Sequence, residues 1–336
     1  MLKKQQELGP GVHKVDFPDM WGDVQGRITE TFANFYEEPV PEGYYPHFNE
    51  VALRMTLLAQ VPELAAVRHK VLELMQSGCC ALVIDRLHID AFPVPVRNRL
   101  LYALCLAVGF PTPSSQYQAT LLWNIRARTV PKGRVATYSE HSGEADLHTD
   151  SQSFPQPEEY LALYVDHAAR CGGGVSLFLS TDTLHEALKA TTEGREAIEI
   201  LSTRQFPFYI SAGEAGARNS GAVTLAPIFG QRLTIRFRRD VLEKGFSARP
   251  DLDTPAARHA FELLLDVLVR QVPVVEYLLP DGAITLCDNH RMLHGRTGFK
   301  DQQRHLLRVR MSAQPVAVHI ASFLQGKDSF AQAVLS

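Results

Sequence analysis

Cysteine is scarce in this 336-residue chain: five residues, an odd number, with Cys79 and Cys80 adjacent and no Cys-x-x-Cys pair. That excludes a disulfide framework and the ligand spacing of a zinc ribbon, and it suits reduced thiols. Long apolar runs are missing as well. No stretch of eighteen apolar residues occurs, so no membrane-spanning helix is expected. There is no block of like charges and no basic stripe with interleaved aromatics. With a net charge of −3, nothing points to nucleic acid or an anionic membrane as partner. The opening MLKKQQELGPGVHKVDF has two lysines but no apolar h-region, so no secretory signal is expected and a cytoplasmic location is the default. No internal repeat appears. No Gly-rich phosphate loop opens a helix either, because GGGVSL runs into a strand pattern.

What is present is an ordinary globular composition with length for one large domain or two smaller ones. Residues 1–50 are rich in Pro, Gly and aromatics and read as an arm on the body or at its mouth. Residues 51–77 have apolar positions at helical spacing and stop at Gly78. Residues 79–87 read as a buried strand and 97–108 as an apolar-faced helix. Further strands are expected at 119–128, 160–166, 175–180, 224–227, 233–238, 274–279, 283–287 and 305–311. Helices fit 181–190, capped by Ser180 or Thr181, and 254–271, with Pro255 at its first position. Residues 129–147 read as a loop over a site, and 211–221 as either a lid or a surface loop without function. The expected class is α+β with a mainly β core: an eight-strand double-sheet jelly roll over about 78–312, wrapped by helices, in a single domain spanning 51–336. The doubly wound α/β alternative lacks its regular alternation of strand and helix.

Chemistry concentrates at two places. In an extended strand residues i and i+2 share a face, so His148 and Asp150 stand side by side with Thr149 opposite. They are two-thirds of the 2-His-1-carboxylate set that holds non-haem Fe(II) with open positions. The bland alternative is a loop histidine bonded to a nearby aspartate. Near the other end, an apolar strand runs into Asp288-Asn289-His290-Arg291 and then His294-Gly295, followed by Arg304, Arg308 and Arg310. A ladder of inward arginines needs an anion, and a dicarboxylate suits guanidinium geometry. The alternative is an edge strand whose arginines face water. Tyr138, His141, Glu140 and Asp146 are candidates to face a substrate, and His290 is at best a neighbour of the ligands. Arg236 and Arg238 read as surface residues unless one binds a substrate carboxylate, and Trp123 reads as core.

Taken together, His148-Thr149-Asp150, the Asp288-Asn289-x-Arg291-x-x-His294-Gly295-Arg296-x-x-Phe299 segment and Arg304/Arg308 resemble the Fe(II)/2-oxoglutarate-dependent dioxygenases, and within them the taurine dioxygenase and clavaminate synthase-like superfamily. The resemblance covers about 78–312 and implies a double-stranded β-helix of the cupin kind. It implies His148, Asp150 and His294 as iron ligands, and Fe(II), 2-oxoglutarate and O2 as cofactor and cosubstrates. It implies Arg308 as the grip on the distal carboxylate of 2-oxoglutarate, Arg304 as an additional cosubstrate contact, and Ser176 of Gly173-Gly174-Val175-Ser176 as the hydroxyl partner of that carboxylate. The carboxylate at Asp150 argues for oxygenation, since halogenating relatives have a small residue there. Some clavaminate synthase-like relatives that act on basic amino acids use His-x-Glu, so the His-x-Asp of this chain weakens any transfer of their substrate choice.

The implied activity is hydroxylation of an unactivated C–H of a small, amino-acid-like molecule or natural-product intermediate, with release of succinate and CO2. Desaturation and cyclisation by the same oxidant stay open. A carrier-bound substrate would need a partner protein, because this chain shows no carrier module, and a homo-oligomer is compatible with the sequence. Two readings from other classes also stand: a zinc hydrolase using the same three residues, and a non-catalytic jelly-roll binding protein. Neither needs inward arginines after His294.

Overall fold

The computed structural model describes residues 2–36, 43–47, 49–113, 120–130, 136–211 and 222–315. In chain order it begins with strands β1 (Lys3–Gly9) and β2 (Val12–Asp16) and helices α1 (Trp21–Ala33), α2 (Glu50–Gln60) and α3 (Pro62–Gln76). Strand β3 (Ala81–Ile84), helix α4 (Val94–Val108) and strands β4 (Phe110–Thr112), β5 (Trp123–Ile125), β6 (Ala145–His148), β7 (Tyr160–His167) and β8 (Ser176–Ser180) follow. Next come α5 (Thr181–Lys189), α6 (Thr192–Thr203), β9 (Phe206–Tyr209), β10 (Val223–Ala226), α7 (Arg239–Ala248) and α8 (Pro255–Arg270). The described chain closes with β11 (Val275–Tyr277), β12 (Ile284–Asp288), β13 (Met292–Arg296) and β14 (His305–Ser312).

Two facing sheets form the core. The larger has the order β1-β2-β3-β12-β7-β14-β4, with β5 also paired to β14, and the smaller has the order β11-β8-β13-β6. Only β2 and β3 pair in parallel; the other strand pairs are antiparallel. This is the jelly-roll architecture, not a doubly wound sheet. Alternation along β14 places its faces: Leu307, Val309 and Met311 join the core built on α1–α4, whereas Leu306 lies between the sheets. Each fully buried apolar side chain of this kind contributes roughly 1.5–3 kcal/mol. That anchoring holds the opposite face, with Arg308 and Arg310, against the space between the sheets. The small sheet has its own outer cover, since Leu179 and Leu293 pack with residues of α5–α8 such as Phe246, Phe261 and Leu264. The site is therefore enclosed by two sheets, each backed by helices.

Several elements differ from expectation, each for a local reason. The 51–77 helix is two helices, because Pro62 sits at the first position of α3 and Val61 before it is held out of the helical region (φ −127°, ψ 75°). Within the expected N-terminal arm, β2 pairs with β3 and Trp21 of α1 is fully buried, so the chain up to α1 joins sheet and core. The expected strand at 119–128 shortens to Trp123–Ile125. Residues 233–238 form an isolated bridge, Phe229 with Ile235, instead of a strand. Helices α6 and α7 and strands β9 and β13 were not expected; in β13 the polar residues His294 and Arg296 interrupt the apolar pattern a strand reading relies on. The 211–221 segment lies, apart from Ser211, outside the described residues. Among the described residues no helix is long and apolar enough to cross a membrane.

Candidate metal centre

Strand register brings the two chemical segments together. His294 of β13 pairs directly with His148 of β6, and residues directly opposed in an antiparallel pair share a face. Their rings lie 4.4 Å apart between centroids. Asp150, two residues on, presents Oδ1 3.7 Å from His148 Nε2 and 4.0 Å from His294 Nε2. All three side chains are buried, and their donor atoms lie within 4.8 Å of one another. Gly295 lets the strands close this far, since a Cβ there would stand 2.6 Å from the Ala145 carbonyl oxygen.

The protonation states suit a cation. Burial first, and then the neighbouring His294, lower the His148 pKa to about 3; burial likewise lowers that of His294. Both rings are therefore neutral, the state in which imidazole can bind a metal. The His148 Nδ1 lies 2.7 Å from the Asp146 carbonyl oxygen, an acceptor that puts the proton on Nδ1 and the lone pair on Nε2. Burial alone would raise the Asp150 pKa, but the guanidinium charges of Arg308 and Arg310 outweigh it and hold the carboxylate ionised. Two neutral imidazoles and one carboxylate fit a divalent transition metal with open positions.

A second layer fixes the carboxylate. The Asn289 side chain accepts from the Asp150 backbone N–H (2.8 Å) and donates to the carbonyls of Asp150 (3.1 Å) and Glu158 (2.8 Å). Ser151 adopts a left-handed conformation (φ 56°), and Arg310 donates to its hydroxyl and to the Pro113 carbonyl, tying the turn to the large sheet. Arg296 donates to the carbonyls of Tyr138, His141 and Gly143 at 2.9, 2.6 and 2.5 Å. It thereby fastens the covering loop, whose Tyr138 ring lies edge-on to His148 at 5.1 Å.

The arginines divide into two kinds. Arg308 Nη1 is 3.0 Å from Asp150 Oδ2, so this guanidinium is already engaged beside the metal ligands. Arg304, just before β14, is 4% exposed and its Nη1 has no hydrogen-bond partner. Burial, and then Arg296, lower its pKa to about 10. Gly174 makes room for it: φ is +73°, and a Cβ there would meet Arg304 Nε at 2.8 Å. Ser176, two residues on, is buried and pairs with Arg296 across β8 and β13.

Sequence comparison supplies the family. The model of the family "Taurine catabolism dioxygenase TauD, TfdA family" matches residues 97–310, more than half of the chain. The chain belongs to the TauD/TfdA dioxygenase family. It is thus a non-haem iron dioxygenase working with Fe(II), 2-oxoglutarate and O2. No curated protein sequence matches. Among solved structures, this TauD/TfdA protein resembles the oxygenase OrfP in complex with Fe and alpha-ketoglutaric acid (TM-score 0.64, 19% identity, 90% of this chain and 94% of that one). It also resembles asparagine oxygenase in complex with Fe(II), 2S,3S-3-hydroxyasparagine and succinate (TM-score 0.64, 15% identity, 89% and 93% covered). A further OrfP structure, with Fe, succinate and (3S)-hydroxy-L-Arg, has a TM-score of 0.60 at 18% identity, with 90% and 94% covered. At these identities the likeness establishes a shared fold.

The remaining candidates in this TauD/TfdA protein separate clearly. His141 lies 5.5 Å from Tyr138, ring to ring, in the covering loop. Arg238 lies over the Tyr138 ring at 4.2 Å and pairs with Asp240 at 2.7 Å. Arg236 donates to the carbonyls of Phe154 and Pro155, and Glu140 is taken by Arg128 at 2.7 Å. Asp146 is exposed and contributes its carbonyl. The His290 ring meets the Pro157 carbonyl at 3.0 Å, away from the ligand set. Sequence reasoning gave no role to Asn289 or Arg296, although both lie in the segment that carried the resemblance. Their partners are more than a hundred residues away, and no local signal encodes that.

Proposed function

We propose that His148, Asp150 and His294 hold the iron and that the enzyme hydroxylates an unactivated C–H of a small, amino-acid-like molecule, releasing succinate and CO2. The observation that carries this is the buried set of two neutral histidines and one carboxylate, with Arg308 on the free carboxylate oxygen. A zinc hydrolase or a binding protein has no use for that flanking guanidinium. The substrate class draws support from relatives of this fold that bind hydroxylated arginine and asparagine.

The iron and 2-oxoglutarate together supply the oxidising chemistry; the chain's own groups bind, orient and exclude water. The family resemblance gives the distal carboxylate of 2-oxoglutarate to Arg308. The geometry favours Arg304 with Ser176 for that grip, because Arg304 is buried with an unused donor and has no carboxylate partner among the described residues. Arg308, engaged with Asp150, is then left to orient that ligand and to face the metal end of the cosubstrate. Asn289 holds the backbone of Asp150, and Arg296 keeps the covering loop closed over His148.

The test is an anaerobic titration of the metal-free protein with Fe(II) and then 2-oxoglutarate. A visible metal-to-ketoacid charge-transfer band is expected, and succinate should form once air and substrate are added. Bound Fe(II) without a band would overturn the reading.

A further inference from the structure

Trp123 reads as a core residue from its sequence, yet the register of β5 places it elsewhere. Trp123 pairs directly with Arg308 across β5 and β14, so the two side chains leave the sheet on the same face. That face is the inner one: Ile125, two residues on, packs into the inter-sheet cluster that includes Leu306, and Arg308 reaches Asp150. The indole Nε1 is buried and has no acceptor among the described residues. The chain's other tryptophan shows the usual solution, since Trp21 donates to the Leu87 carbonyl at 2.6 Å. Arg308 repeats the pattern beside it, with Nη1 on Asp150 and Nε unpartnered.

Glu140, the carboxylate that pairs with the Arg128 stacked on Trp123, is already committed. Both Glu140 oxygens are engaged, one by Arg128 and the other by the Thr137 hydroxyl and N–H. Arg128 lies over the Trp123 ring at 5.6 Å and covers it from the loop side. Two buried donors on neighbouring strands, level with the metal ligands and lacking acceptors, call for oxygens from a ligand. We propose that Trp123 Nε1–H and Arg308 Nε–H form a two-donor subsite for a carboxylate at the metal end of the cleft. Trp123 is thus a ligand-contacting residue. The subsite rests on the catalytic reading above for its place beside the iron. The carboxylate comes from one of two sources, the metal-end carboxylate of 2-oxoglutarate or a carboxylate of the primary substrate.

The experiment uses the intact protein loaded with Zn(II), which is diamagnetic and supports no turnover, with its two tryptophans labelled with 15N. The indole cross-peak lost in Trp123→Phe is assigned to Trp123, and the Trp21 peak serves as reference. 2-Oxoglutarate is added to saturation, followed by acetate as a carboxylate probe. A downfield move of the Trp123 indole proton on 2-oxoglutarate identifies the cosubstrate as the source. A move only when acetate is added on top identifies the primary-substrate pocket. In either case Trp123→Phe, which keeps the ring and loses the donor, should weaken the same ligand roughly tenfold by calorimetry. A Trp123 peak that stays still with both ligands, or a variant that binds both as the wild type does, overturns the proposal. Failure of the catalytic reading is separable: 2-oxoglutarate would then not bind by calorimetry, while acetate alone still reads the subsite.

Discussion

Among the described residues, two sets of two histidines and one aspartate lie close enough to share a cation, and they behave as opposites. One is His148, Asp150 and His294; the other is Asp166, His167 and His305. In the second set Asp166 and both nitrogens of His305 are spent, and His167 turns to solvent. Asp166 is ion-paired with Arg97, His305 meets Asp166 at 2.7 Å through Nδ1 and Asn124 at 2.6 Å through Nε2, and the His167 side chain is 60% exposed. In the first set the histidine Nε2 atoms and one carboxylate oxygen converge on a buried space, while His148 Nδ1 is tied back by the Asp146 carbonyl and the other Asp150 oxygen by Arg308. Residue types alone do not make a metal centre. What matters is which lone pairs remain after the surroundings have taken theirs.

The largest effect that would break this comparison is loss of a ligand. His294→Ala or Asp150→Ala should abolish the charge-transfer band and succinate formation while the protein remains soluble. His305→Ala should leave both intact. Turnover at the wild-type rate in either ligand variant, or its loss in His305→Ala, would show the two sets to be wrongly ranked.

Next in size is Arg304→Ala, which removes a buried cation from the proposed distal-carboxylate grip. The 2-oxoglutarate requirement should rise roughly 10- to 150-fold. Binding of pyruvate, which lacks the distal carboxylate, should change little. An equal loss for both ketoacids would move the contact to the metal end.

Asn289→Ala sharpens the contrast more finely, because only the first set has its carboxylate backbone clamped by an amide. Metal affinity should fall by about 10- to 100-fold, as for other residues that support metal ligands. A purely structural role would lower the melting temperature and leave the affinity in the folded protein unmoved.

The smallest effect concerns another buried carboxylate. Glu50, at the start of α2, has no cation beside it among the described residues, and burial raises its pKa from 4.5 to about 8, opposed in part by the Tyr102 hydroxyl. Asp150, with Arg308, stays ionised. A carboxyl whose folded pKa is raised binds more protons folded than unfolded, so stability falls as pH rises through that interval. The wild-type melting temperature should therefore decline between about 4.5 and about 8 relative to Glu50→Gln. Parallel curves would mean that Glu50 is ionised where it is buried.

Much of this was legible in the sequence. Alternation marked β7, β8 and β14, and the polar interruptions of otherwise apolar segments marked His148, Asp150, His294 and the arginines. Pattern reading failed where a strand carries its function inward, as in β13, because a buried polar face looks like a turn. Trp123 likewise carries the large apolar ring that is the usual mark of core; only the pairing of a three-residue strand with β14 shows that it stands opposite Arg308. The different surroundings of Arg304 and Arg308 were beyond reach for the same reason. Their spacing is visible, but which guanidinium meets Asp150 depends on where the strand begins.

By itself the sequence determined the chemical repertoire: three candidate ligands, a set of cations after the second histidine, and enough apolar segments for two sheets. Those follow from side-chain identity and from the period of the strand, which are local. Only the tertiary structure decided which donors stay free. That outcome depends on antiparallel register between β6 and β13, on Asn289 reaching Asp150 from 139 residues away, and on β5 lying against β14. A hydrogen bond consumes a donor wherever its partner lies in the chain, so the remaining valences that make a site can be counted only after folding.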